Sequence, residues 1–120
     1  MQKTFSSARA EGKFFIITGN KSENYFKIYP CDDINNCTAP TVNPNKCMEK
    51  NIGCLEKNVL LDNNFKIIFA PPHGDIFKCE IDGNVCSAND PSKNKISIKN
   101  PIGKKTLQIY TKSGLVENVQ

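Results

Sequence analysis

Tryptophan is missing from this 120-residue chain, and arginine and histidine occur once each, as Arg9 and His73. Fifteen of the 16 basic residues are therefore lysine, and 15 asparagines stand beside them. This is the composition of an AT-rich coding bias, so the net charge of +4 says little about partners. The lone histidine lies in Pro71-Pro72-His73-Gly74, a turn sequence with no neighbouring nucleophile, and Ser6 and Ser7 lie outside any G-x-S-x-G elbow. Neither feature points to catalysis. The chain is expected to be no enzyme and to need no cofactor. Apolar stretches are short: none approaches the ~20 residues of a membrane span. No export signal with an apolar core of about 7–15 residues follows Met1, which reads as an expression start.

The six cysteines, Cys31, Cys37, Cys47, Cys54, Cys79 and Cys86, contain no C-x2-C pair and no Cys/His spacing suited to structural zinc. Asp32-Asp33, Asp62-Asn63-Asn64 and Asp82-Gly83-Asn84 carry oxygen ligands at calcium-like density. None matches the D-x-[DN]-x-[DN]-G loop, and turn chemistry accounts for all three, so no metal is expected. An even cysteine count at spacings of 6, 10, 7, 25 and 7 residues reads instead as a disulfide framework. Such a framework persists only in an oxidising compartment.

Joining nearest neighbours gives Cys31–Cys37, Cys47–Cys54 and Cys79–Cys86. The last pair has the best physical case. A two-residue Asp82-Gly83 turn sets Ile81 opposite Asn84 and so Cys79 opposite Cys86. That is a hydrogen-bonded position with Cα atoms about 5.5 Å apart, within bridging range. Cys47–Cys54 requires the chain to break, most simply at Gly53. If that segment were one helix, the loop cysteines would pair as Cys31–Cys47 with Cys37–Cys54, or as Cys31–Cys54 with Cys37–Cys47.

Read for organisation, residues 1–120 form one domain. Residues 1–12 resemble the end of a helix, with Phe5 and Ala8 on one face and Gly12 as the stop. Phe14–Thr18 and Tyr25–Tyr29 are aromatic and β-branched, around a polar turn, and predict a hairpin. Residues 31–58 are an irregular, cysteine-rich loop in which only Lys46–Lys50 suits a helical turn. From Val59 onward the chain is β-rich. Phe65–Ala70, Asp75–Ile81 and Asn84–Ser87 predict consecutive strands, as do Ile96–Lys99, Thr106–Thr111 and Leu115–Val119. The expected fold class is α+β, a truncated N-terminal helix packed on antiparallel sheet.

Three stretches resemble the minor pilins and pseudopilins of type IV pili and type II secretion, the H-type pseudopilins in particular. Phe5-Ser6-Ser7-Ala8-Arg9-Ala10-Glu11 is similar to the end of the pilin helix. Phe65–Gly74 is similar to that family's strand followed by F-x-P-x-G, and Ile96–Gly114 to its closing hairpin. Together they cover under half of the chain. The family's basic leader, cleavage site and ~20 apolar residues are not in this sequence. The resemblance implies a periplasmic or cell-surface protein whose full-length form is held in the inner membrane by a helix absent here. Its partners would be the other pilins or pseudopilins of its filament, with residues 31–58 as a variable exposed loop.

Some relatives serve DNA uptake, which gives the C-terminal lysines a second reading. Lys93, Lys95, Lys99, Lys104, Lys105 and Lys112 could line one sheet face and meet phosphates. The alternative to a filament component is a secreted, disulfide-rich binding or inhibitor protein of unrelated fold.

Overall fold

The computed structural model describes residues 12–40, 52–55, 58–72 and 74–119. Ten strands follow one another: β1 (Phe14–Gly19), β2 (Tyr25–Cys31), β3 (Ile52–Cys54), β4 (Leu60–Leu61), β5 (Phe65–Ala70), β6 (Asp75–Ile81), β7 (Asn84–Val85), β8 (Lys95–Lys99), β9 (Lys104–Tyr110) and β10 (Leu115–Val119). A single 3-10 turn, Pro91–Lys93, precedes β8. The strands form a six-stranded sheet in the order β3-β2-β1-β5-β6-β7 and a four-stranded sheet in the order β10-β9-β8-β4. Every pairing is antiparallel.

This corrects the α+β expectation. The described residues hold no α-helix and form two antiparallel sheets. The physical reason is the period of the sequence: from Phe14 to Val119 the apolar residues alternate, or run in short β-branched blocks, and nowhere recur every 3.6 residues. Both stretches read as helical, 1–12 and Lys46–Lys50, lie outside the described residues but for Gly12.

Alternation assigns the faces. Phe15 and Ile17 of β1, Phe65, Ile67 and Phe69 of β5, and Cys79 and Ile81 of β6 point to one side of the large sheet. They meet Leu61, Ile96 and Ile109 of the small sheet, and this contact is the main core. The intervening residues are apolar too. Ile16, Ile68, Tyr29 and Cys31 are buried on the opposite face, with Phe14, Ile34 and Cys37 against them. The large sheet thus has two apolar faces, which explains why β1 and β5 read as unbroken hydrophobic runs. Tyr29 belongs to this second cluster, and burial pushes its phenol up from the ordinary tyrosine range.

One row across the large sheet alternates glycine with phenylalanine: Gly53 opposes Phe26, Phe26 opposes Gly19, and Gly19 opposes Phe65. The rings fold over the glycines. A Cβ on Gly19 would stand 2.5 Å from Phe65 Cε1 and 2.7 Å from Leu61 Cδ1. Glycine is needed here for close approach, not for an unusual φ.

The hairpin predicted at Asp82-Gly83 is present. Asp82 and Gly83 have φ of 52° and 82°, the pair of positive values that a type I′ turn demands. Cys86 N–H donates to the Cys79 carbonyl at 2.9 Å, and the two Cα atoms lie 5.3 Å apart, joined by a disulfide. Cys31 and Cys37 form a second disulfide across 5.5 Å. Their loop is shaped by Asp33, whose carboxylate accepts from Asn35 N–H at 3.0 Å. The Cys31–Cys37 bond rules out both alternative pairings of the loop cysteines. Cys54 is disulfide-bonded as well, and its expected partner Cys47 lies outside the described residues. These bridges are the mark of an oxidising environment.

Candidate functional site

The two lengths of sheet that carry the lysines put them in different places. Lys95, Ser97 and Lys99 of β8 oppose Gln108, Thr106 and Lys104 of β9, so Lys95, Lys99 and Lys104 share the outer face of the small sheet. Lys105 opposes Ile98 and points to the other face. Lys93 sits in the 3-10 turn, and Lys112 in the β9–β10 turn at the far end of β9. The six do not converge on one stripe. Two are also engaged: Lys99 and Lys104 reach Asp62 at 3.3 and 3.7 Å. The rest of the outer face is mixed in sign. Gln108 Nε2 donates to the Tyr110 hydroxyl at 3.0 Å, and that hydroxyl donates to Glu117 at 2.9 Å. The Glu117 carboxylate raises the Tyr110 phenol above its ordinary range.

Asp62 is the focus of this charge cluster. The hydrogen bond and charge of Lys99, with Lys104 and Lys21 further off, hold its carboxyl below the usual carboxylate range. The unfolded chain therefore takes up this proton first as pH falls. The stability that Asp62 contributes is present above its unfolded pKa, near 4 on the ~3.9 of a free aspartate, and is lost as pH drops through the lower folded value. Asp62→Asn is expected to flatten the acid side of a stability-against-pH curve measured by urea unfolding. Asp90, held down chiefly by its hydrogen bond from the Ser92 hydroxyl, contributes in the same direction and remains in that variant.

The asparagine and aspartate clusters that resembled calcium ligands are consumed by turns. Asn63 Nδ2 donates to one Asp82 oxygen at 2.6 Å, and Asn64 N–H donates to the other at 2.9 Å. Asp82 N–H returns to the Asn64 carbonyl at 2.7 Å. Lys21 N–H donates to Asn64 Oδ1, and Ser97 N–H to Asn63 Oδ1, each at 2.7 Å. Four segments from both sheets are latched together this way. Among the described residues no three metal-ligating side chains gather. His73 and Cys47 lie outside the described residues.

Two features remain that can act on another molecule. The first is an exposed aromatic at the margin of the second, buried apolar cluster of the large sheet. Phe77 is 57% exposed and stands edge-on to Phe14, ring centroids 5.5 Å apart. A register shift in the β5–β6 pairing places it: Ile68 opposes Lys78 while Phe69 opposes Ile76, leaving Phe77 as the extra, bulged residue. The second is a cavity of about 360 Å³ at the β7 edge, lined by Ile81, Val85, Cys86, Lys93 and Lys95 among others. Sequence reasoning missed both. The bulge has no local signature, and the cavity joins segments that are distant in sequence.

Beside that cavity Asn94 is the one buried polar side chain among the described residues, 1% exposed. Its Oδ1 accepts from Ser87 N–H at 2.7 Å. Its Nδ2 donates to the carbonyls of Ser87 at 2.7 Å and of Ile109 at 3.1 Å. It ties the segment after β7 to β9.

No protein family, no curated protein and no solved structure matches the chain.

Proposed function

We propose that this protein is an assembly component of an extracytoplasmic filament, a minor pilin or pseudopilin of a type IV pilus or type II secretion system, and that it works by protein–protein contact in the periplasm or at the cell surface. The observation that carries the reading is Phe77, 57% exposed at the margin of the second, buried apolar cluster of the large sheet. An aromatic left in water beside an apolar cluster is suited to a protein partner. The disulfides support an extracytoplasmic setting. Two of the stretches that resemble the family fall on whole structural units. Of residues 65–74, those described hold β5 and the Gly74 N–H that bonds the Ala70 carbonyl at 2.9 Å, and residues 96–114 span the β8–β9 hairpin and the turn closed by Gly114 N–H to the Tyr110 carbonyl at 2.9 Å.

Two measurements test this. The isolated chain is expected to sediment as a monomer at micromolar concentration. In the native cell, the full-length protein should co-purify with sheared surface filaments, and Phe77→Ser should reduce that association without changing the thermal transition of the isolated chain. A tight dimer of the isolated chain, or a wild-type protein absent from the filament fraction, would overturn the assembly reading in favour of a freely secreted binding protein.

A further inference from the structure

Besides the two features at its surface, the sandwich holds an apolar cavity of about 180 Å³ between its sheets. Phe26, Leu55 and Phe65 form the wall on the side of the large sheet. Leu61, Ile96, Ile98 and Leu107 form the wall on the side of the small one. Every lining side chain is a hydrocarbon. The alternation of glycine with phenylalanine accounts for the space. On the inner face of the large sheet the Phe65 ring folds over Gly19 and the Phe26 ring over Gly53, where a Cβ would collide with each ring. Rings folded down in this way stand out less toward the small sheet than upright ones, and the room above them stays open. The floor is buried, at Leu61, Phe65 and Ile96. Phe26, Leu55, Ile98 and Leu107 are half-buried and make the mouth. The main chain beside it is already bonded. Leu55 N–H donates to the Asn24 carbonyl and Leu61 N–H to the Glu23 carbonyl, each at 2.8 Å, and Ser22 N–H donates to the Leu61 carbonyl at 2.9 Å.

From this geometry we infer that the cavity is a binding site for a small, uncharged, apolar molecule with the bulk of a single six-membered ring. Volume sets the size. An apolar cavity of about 150 Å³ lined by leucine, isoleucine and phenylalanine stays dry and takes up benzene. The present cavity is slightly larger, and it falls well short of the ~300 Å³ at which sites for drug-sized ligands begin. The lining sets the polarity. A carboxylate carried inside would lose its hydration and find no side-chain partner. Water is excluded for the same reason, since a buried water needs polar neighbours to bond. The half-buried mouth gives a ligand entry without unfolding. A molecule seated there touches both sheets at once, so it binds the folded chain alone and stabilises it by mass action. The site is independent of the assembly reading, because Phe77 lies beside Phe14 at the opposite face of the large sheet.

The test is a titration of the methyl-¹³C-labelled chain with benzene. The methyl signals of Leu55, Leu61, Ile96, Ile98 and Leu107 should shift together and saturably, with half-saturation at about millimolar benzene or below. Those of Ile16 and Ile68, on the opposite face, should not move. The thermal transition should rise with benzene concentration. Benzoate, which carries a charge on the same ring, should bind at least about tenfold more weakly. Leu107→Trp and Leu55→Trp fill the cavity from its two walls, and each should weaken benzene binding at least about tenfold. If neither variant folds, the methyl map of the wild type and the benzoate comparison decide alone. The absence of a saturable shift at the cavity methyls, up to the solubility limit of benzene, overturns the site. So does unchanged affinity in a folded variant, which would put benzene elsewhere, and so does equal affinity for benzoate, which would mean an open surface. Any of these, found with a protein that still co-purifies with filaments, leaves the assembly reading in place; benzene binding in a protein absent from filaments does the reverse.

Discussion

Asn94→Ala is expected to destabilise the fold by about 3 kcal/mol, measured as a fall in the urea midpoint with unchanged slope. The side chain makes three hydrogen bonds to main-chain groups, two of them at 2.7 Å, in a site 1% exposed. Alanine leaves the Ser87 N–H, the Ser87 carbonyl and the Ile109 carbonyl without that partner. The buried Ile109 carbonyl costs about 1–3 kcal/mol when stranded; Ser87 is half-buried and its carbonyl keeps the Thr111 hydroxyl at 3.5 Å, so its two groups add less, and water entering from the neighbouring cavity would relieve part of the loss. Asn94→Asp is the informative companion. A carboxylate can still accept from Ser87 N–H but cannot donate to either carbonyl, so it should be no better tolerated than alanine at neutral pH and should recover as acid protonates it. Equal stability of Asn94→Asp and wild type would mean that the two donor bonds contribute nothing.

Phe69→Ala should cost about 3–5 kcal/mol, enough to unfold many domains of this size at 37 °C. Phe69 is wholly buried on β5 within the main core, between strands β1 and β6. Removing its ring takes apolar surface out of contact and leaves a cavity that rigid neighbours, Ile17 and Ile67 among them, cannot fill. Phe77→Ala, in the same strand pair but exposed, should change stability by no more than about 0.5 kcal/mol. The contrast between two phenylalanines eight residues apart checks the assignment of faces: if Phe77→Ala were the more damaging, the bulge would be misplaced by one residue.

The long strands were legible because their chemistry is local. Phe14–Gly19, Phe65–Ala70 and Asp75–Ile81 carry β-branched and aromatic residues between turn formers, and Asp82-Gly83 announces its own turn. The strand at Ile52–Cys54 was not legible. Three residues inside a cysteine-rich loop have no periodicity to read, and their extended form depends on Tyr25–Lys27 beside them. The same holds for Leu60–Leu61, which is a strand because Ile98 and Lys99 pair with it. The α+β assignment failed because it rested on a stretch outside the described residues and on a resemblance, while the alternation after Phe14 already pointed to sheet alone. Of the candidate sites, the lysines were visible as composition, but only register shows that Lys105 faces away from Lys104. Asn94 was hidden among 15 asparagines, with nothing local to mark it as buried.

The placement of β4 sets how this protein comes apart. In chain order it lies between β3 and β5, both strands of the large sheet, yet it pairs with β8 at the edge of the small one. The small sheet therefore takes an edge strand from a segment whose neighbours in sequence belong to the large one, and the two sheets bury a common core. Nascent chain leaving the ribosome or translocon can lay down the β1–β2 hairpin at once, but Leu60 and Leu61 wait until Lys99 has emerged. Neither sheet is an independent unit of folding, and melting should be a single all-or-none event in which the two sheets are lost together.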